Sequence, residues 1–72
     1  MNVYKISGKV FWRNNGDAEF EAHFSGADAE VAIGKFKEHA KSIFNTEEKK
    51  KEGFVFDHVS VCSVREGDDF IN

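Results

Sequence analysis

Proline is absent from this chain of 72 residues, and cysteine occurs once, as Cys62. A single thiol cannot form a disulfide within the chain and gives no sign of the bridge-rich scaffolds of secreted small domains. No apolar run is long enough for a signal peptide or a membrane-spanning helix. We therefore expect a cytoplasmic protein with no membrane partner.

Basic residues are fewer than acidic ones: the chain has 10 lysines and arginines and 13 aspartates and glutamates, which give a formal net charge of −3. Proteins that bind duplex nucleic acid usually present a basic face. This charge balance argues against such a partner. A chain of this length forms one domain with a modest core, a size at which oligomerisation often adds stability.

Two segments with an alternating pattern flank Asn14-Asn15-Gly16, a sequence typical of a tight turn. Apolar or small residues hold the even positions of both segments, and polar residues hold most odd positions. This period of two, with many aromatic and β-branched residues, favours strands over helix. The sequence therefore predicts a hairpin with strands at about 2–13 and 17–25.

The length of the turn follows from the requirement that residues opposite each other share a face. A two-residue turn would place Trp12 opposite Glu19 and mix the two faces. A three-residue turn over 14–16, with glycine in a left-handed conformation, keeps them separate. The pairs predicted by this register are Trp12 with Ala18, Val10 with Phe20, Gly8 with Ala22, Ile6 with Phe24 and Lys9 with Glu21.

A helix is predicted at about 27–44, after the second strand. Ser25 precedes Asp28 by three residues, which is the spacing of a capping box. Apolar residues then recur at intervals of three and four, so that one face of the helix is apolar. The residues of this face are Ala29, Ala32, Ile33, Phe36, Ala40, Ile43 and Phe44.

Small residues bear on how this helix packs. Gly34, inside the helix, costs about 1 kcal/mol relative to alanine. It marks either an exposed, tolerated position or a close approach by the backbone of a partner. Gly8 and Ala22 would leave a hollow in the sheet beneath the helix, and Phe36 is the side chain best placed to fill it.

Residues 45–53 contain no apolar side chain and predict either a solvated loop or a frayed extension of the helix. A third strand is predicted at about 54–65, but its apolar positions change phase between Phe56 and Val59. A bulge near Asp57-His58 would reconcile the two phases. Residues 66–72 are predicted to form an acidic tail.

These elements predict a single ββαβ domain over residues 1–72, in the α+β class. The first strand is the longest and most apolar, so we expect it at the centre of a three-stranded sheet with the order 2-1-3. The sheet is then wholly antiparallel, with the helix on one face.

The face that the helix does not cover is the predicted interaction surface. An open face of an antiparallel sheet is usually polar, whereas this one is expected to include Phe11 and two valines. Contact with a partner or a second copy would explain these apolar residues. The alternative is that they are scattered surface residues of the kind that is ordinary on small proteins. The predicted surface consists of Val3, Lys5, Lys9, Phe11, Glu19, Glu21, His23, His58 and Val64.

No group of residues predicts a catalytic, cofactor or metal site, so we expect a non-enzymatic protein. His58 and Cys62 are four residues apart on a strand, a separation of about 13 Å at the usual rise per residue. That distance is too long for a shared metal ion or for a nucleophile with its base. His39 lies at the boundary of the apolar helix face and is predicted to be a half-buried packing residue.

The function that this pattern favours is a protein-binding module that acts by occlusion, with a homodimer as a further expectation. The layout resembles that of compact ββαβ accessory proteins, including phage- and mobile-element-encoded inhibitors of host complexes, although no motif identifies a family. The alternative is a platform for single-stranded RNA or DNA, because aromatic residues on sheets stack bases. Against it, only Phe11 points outward, and Glu19 and Glu21 offset the nearby lysines.

Overall fold

The computed structural model describes residues 2–67, in which the alternating segments form strands and the apolar stripe forms a helix. The strand order is 2-1-3, and both neighbouring pairs are antiparallel. The predicted ββαβ arrangement is confirmed. The elements in chain order are β1 (Asn2–Trp12), β2 (Gly16–Gly26), α1 (Ala29–Phe44), α2 (Glu47–Lys51) and β3 (Phe56–Glu66).

The hairpin register differs from the prediction by two residues. Trp12 pairs with Gly16 and Val10 with Ala18, so the three-residue turn spans 13–15. The predicted pairing of Val10 with Phe20 is therefore wrong. A shift of two leaves every side chain on its predicted face, because successive side chains alternate. Gly16 does have a left-handed φ of 74°, but it is the first residue of β2.

Contacts from distant residues hold the turn at 13–15. The backbone N–H of Arg13 donates to the carbonyl of Val55, with an N···O distance of 2.9 Å. Asn15 Nδ2 donates to the carbonyl of Gly53 over 2.6 Å. The turn is thus attached to the segment that leads into β3, an interaction that the local sequence around Gly16 does not encode.

Helix α1 starts later than predicted. Asp28 is its N-cap, and Asp28 Oδ1 accepts a hydrogen bond from the backbone N–H of Val31 at 3.0 Å. The predicted capping box from Ser25 is wrong, because Ser25 still belongs to β2 and pairs with Val3. Its backbone is part of the sheet and so cannot cap the helix.

Phe36 fills the core between α1 and the sheet and is fully buried. Its ring stacks on Phe20, with centroids 4.7 Å apart, and meets Phe24 edge-on at 6.4 Å. A Cβ atom added to Gly8 would stand only 2.9 Å from Cε2 of Phe36. The predicted role of Phe36 above Gly8 is confirmed. The other buried core residues are Tyr4, Ile6, Val10, Ala32 and Ala40.

Residues 45–53 include the short helix α2, so this segment is neither a plain loop nor a continuation of α1. Thr46 is its N-cap and accepts a hydrogen bond from the backbone N–H of Lys49 at 3.2 Å. At the other end of the chain, Glu66 belongs to β3 and not to a tail. Residues 68–72 of the predicted acidic tail lie outside the described residues.

Strand β3 contains two bulges. Asp57 is the extra residue between the pairs Phe11–His58 and Trp12–Phe56. This bulge is the one that the sequence predicts. Cys62 is a second extra residue, between the pairs Ser7–Ser63 and Gly8–Val61, and the sequence analysis did not predict it. Each bulge reverses the alternation of side chains along β3.

Candidate protein-interaction surface

The bulge at Cys62 decides which residues of β3 face away from the helix. Val64 pairs with Ile6 and packs against the buried core, so its predicted place on the open face is wrong. Ser63 and Arg65 take the outward positions, opposite Ser7 and Lys5. The outer face comprises Val3, Lys5, Ser7, Lys9 and Phe11 of β1, Asp17, Glu19, Glu21 and His23 of β2, and His58, Ser60, Ser63 and Arg65 of β3.

The aromatic part of the outer face is a stacked pair near the hairpin end of the sheet. The rings of Phe11 and His58 are 4.6 Å apart between centroids and 11° from parallel. Phe11 is half-buried and His58 is exposed. Nδ1 of His58 lies 3.2 Å from Oδ2 of the neighbouring Asp57. Each ring restricts the other, so the pair presents an ordered apolar surface to the solvent side.

The charges of the outer face neutralise one another. Lys5 Nζ lies 3.7 Å from a carboxylate oxygen of Glu21. Lys9 Nζ lies 3.8 Å from Asp17 and 4.0 Å from Glu19, in place of the predicted pair with Glu21. Exposed pairs of this kind contribute little to stability. Their effect is electrostatic: the lysines do not form a positive groove.

The middle of the outer face is polar and slightly concave. The hydroxyl groups of Ser7 and Ser63 form a hydrogen bond between β1 and β3. An open depression beside them is lined by Ser7, Glu19, Glu21 and Cys62, among others. Cys62 is exposed, since its place in the bulge leaves it outside the regular pairing. The face therefore combines an aromatic end with a polar centre.

The predicted surface residues are brought together, apart from Val64. Sequence reasoning missed Asp17, Ser63 and Arg65 as members of the same face. The signal was present, because Val61 and Val64 are three residues apart and both apolar, which demands a second change of phase in the strand. The prediction used only the first change of phase, and it therefore assigned Val64 to the outer face.

Two of the histidines, His39 and His58, lie on opposite sides of the sheet. His39 is exposed, so the prediction that it is half-buried is wrong. From α1 it contacts Phe24, with ring centroids 5.5 Å apart, on the opposite side of the sheet from His58. Residues 2–67 contain no cluster of three or more histidine, cysteine or acidic side chains placed to hold a metal ion. Within the same range, neither helix has the length and apolar character needed to cross a membrane.

Comparisons with protein families, with curated proteins and with solved structures find no match for this chain. The interpretation of the outer face therefore depends on its own geometry: a stacked aromatic pair, balanced charges and a surface that α1 leaves uncovered.

Proposed function

We propose that this protein is a non-enzymatic module that binds another protein through its outer face. In the specific form that we favour, it is an inhibitor encoded by a phage or mobile element that acts on a host complex by occlusion. The observation that carries the proposal is the Phe11–His58 stack on an uncovered sheet face. An aromatic pair that is already ordered loses little further entropy when a partner covers it.

The charge and composition of the outer face suit a protein partner better than a nucleic acid. Its basic residues Lys5, Lys9 and Arg65 are matched by three acidic residues of β2. A platform for single strands needs a positive groove and several stacking aromatics. Here Phe11 is the one aromatic residue besides histidine among the described residues of the face. Protein interfaces, in contrast, tolerate mixed charge around an aromatic centre.

A test of this proposal is capture of partners from a nuclease-treated host lysate with wild-type protein and two variants. Phe11→Lys places a charge in the aromatic patch, and lysine is preferred to glutamate because Asp17 lies directly opposite. Val31→Lys makes the same change on α1, at a side chain that is 44% exposed. We expect a specific protein to be lost with Phe11→Lys and retained with Val31→Lys.

Two controls keep the test decisive. Circular dichroism should show that both variants are folded, since loss of one aromatic pair costs only about 0.5–1.5 kcal/mol. Fluorescence anisotropy with labelled single-stranded RNA and DNA should show no binding at physiological salt. Salt-sensitive binding that Phe11→Ala abolishes would instead support the nucleic-acid platform, and equal capture by both lysine variants would place the interface elsewhere.

A further inference from the structure

Among residues 2–67, strand β2 lies at an edge of the sheet with no further strand beside it, and it has the features of a pairing strand. It runs for 11 residues, contains no proline, and pairs with β1 without a single register shift. The opposite edge, β3, is interrupted by bulges at Asp57 and Cys62. Bulges protect an edge from further pairing, whereas a long regular edge is a template for another strand. The two edges therefore differ in their capacity to accept one.

Hydrogen bonds at the two ends of β1 show which groups of β2 face outward. The carbonyl of Val3 accepts from Gly67 N–H at 3.2 Å, and Arg13 N–H donates to Val55 at 2.9 Å. Odd-numbered residues of β1 thus direct their backbone groups toward β3. The even-numbered residues of β1 direct theirs toward β2, where they pair with even-numbered residues. The odd-numbered residues of β2 therefore direct their backbone groups away from the sheet.

One contact confirms this orientation at the end of β2. Lys35 Nζ reaches the carbonyl of Ser25 from the side, over 2.6 Å. Between the turn and that end, the outward backbone groups of Glu19 and Glu21 have no hydrogen-bond partner among residues 2–67. On the helix side, Phe20 and Phe24 are only half-buried. The edge therefore offers both backbone hydrogen-bonding groups and apolar surface.

We propose that β2 pairs antiparallel with β2 of a second copy, with the two-fold axis at Ala22, to form a continuous six-stranded sheet. In this register Glu21 lies opposite His23 of the second copy, and Phe20 lies opposite Phe24. The first pair places a hydrogen-bond acceptor against an imidazole, and the second is a cross-strand aromatic pair. The pairing does not depend on the proposed function, because its backbone hydrogen bonds form along the β2 edge and the Phe11–His58 stack takes no part in it.

Registers with the axis closer to the turn are excluded by charge. An axis at Phe20 would set Glu19 opposite Glu21, and an axis at Glu21 would set that residue opposite itself. Like charges directly opposite each other destabilise an antiparallel pair. Within one copy, Lys5 and Lys9 lie 3.7–4.0 Å from carboxylates of β2, which lowers the repulsion between the two acidic strands. The axis at Ala22 is the central register without opposed carboxylates.

A disulfide trap tests the register. In a Cys62→Ser background, Ala22→Cys places two thiols opposite each other at a non-hydrogen-bonded pair, where the Cα atoms are about 4.5 Å apart and a disulfide can form. Glu19→Cys is the matched control, because its two copies would be about 20 Å apart. Under mild oxidation we expect covalent dimer for Ala22→Cys alone. Equal cross-linking of both variants, or of neither, would overturn the proposal.

A proline substitution tests the edge itself. Glu21→Pro removes an outward N–H from each copy and leaves the pairing with β1 intact, whereas Glu21→Ala removes the carboxylate alone. By sedimentation equilibrium we expect wild type and Glu21→Ala to dimerise. Glu21→Pro should raise the dissociation constant by about tenfold or more, as two hydrogen bonds across the axis are lost.

Further measurements separate this inference from the proposed function and from misfolding. Phe11→Lys should leave dimerisation unchanged, since Phe11 lies on β1 opposite Asp17, five residues along the strands from the Ala22 axis. If Glu21→Pro is not folded by circular dichroism, the Ala22→Cys trap decides. A wild-type protein that stays monomeric up to millimolar concentration, or a dimer that Glu21→Pro does not weaken, would refute the pairing.

Discussion

Replacing Phe36 with alanine should remove a large part of the stability of this protein. The side chain is fully buried, stacks on Phe20 at 4.7 Å and lies against Gly8, so it connects α1 to both β2 and β1. Truncation of such a ring costs about 3–5 kcal/mol where the site cannot collapse. A domain of 72 residues has a free energy of unfolding of about 4–11 kcal/mol. The variant should therefore be close to unfolded if the wild type lies at the lower end of this range, and markedly less stable at the upper end.

The site cannot collapse for a reason visible in the sheet. Beneath the ring, Gly8 has no side chain to move into the space, and the sheet backbone is fixed by pairing on both sides. Urea denaturation followed by circular dichroism measures the loss, with Phe36→Leu as the conservative control. A loss below about 1 kcal/mol for Phe36→Ala, well under the expected range, would mean that α1 packs differently.

Gly8→Ala examines the same contact from the sheet. The new Cβ would meet the ring of Phe36 at 2.9–3.0 Å, and the carbonyl oxygen of Ser60 stands closer still. Because the Ser60 oxygen belongs to the backbone, it cannot turn away as a side chain can. We expect Gly8→Ala to destabilise strongly, and Phe36→Leu to recover only part of that loss in the double variant. Additive losses would show that the ring and Gly8 are not in contact.

Two further substitutions test the ends of the secondary structure elements by urea denaturation. Asn15→Ala removes the hydrogen bond to the carbonyl of Gly53 and should cost about 0.5–1.5 kcal/mol, while the exposed neighbour Asn14→Ala should cost less. Asp28→Ala removes the N-cap of α1 and should cost about 0.5–2 kcal/mol. Faster amide exchange at Val31 than in wild type should accompany it, and unchanged exchange there would contradict the capping role.

The hairpin shows what an alternating pattern can and cannot specify. Parity assigns Val10 and Phe20 to one face, and the structure agrees. Parity cannot distinguish registers that differ by two residues, since both keep the same faces. The choice between them is made by contacts with residues 53–55, about 40 positions along the chain from the turn. Such contacts are absent from any local window of sequence.

For strand β3 the sequence did contain the information that fixes which side chains face outward, but the prediction used only part of it. The two phenylalanines Phe54 and Phe56 fall at even positions, Val59 and Val61 at odd positions, and Val64 at an even position again. Two reversals require two bulges, and the structure has them at Asp57 and Cys62. The second reversal lies four residues before the end of β3 and is indicated by Val64 alone, so it is easily taken for fraying. It exchanges Val64 for Arg65 on the outer face.

The size of the outer face connects the two proposals. Three strands of 11 residues cover about 36 by 14 Å, or roughly 500 Å², at the usual strand spacings. A stable protein interface buries about 800 Å² on each partner. One copy is therefore small for a high-affinity occluding surface, whereas two copies joined through β2 would present about 1,000 Å² as a continuous face.

In the joined face, the two acidic β2 strands lie at the centre and the two Phe11–His58 stacks lie toward opposite ends. Counting ten residues along the strands and three strand spacings across places the stacks about 35 Å apart. A partner that spans both should bind the dimer more tightly than a single module, by avidity and not by new contacts. Glu21→Pro should then weaken partner binding without abolishing it, while Phe11→Lys abolishes binding in monomer and dimer alike. Equal affinity of wild type and Glu21→Pro would show that the partner contacts one outer face alone.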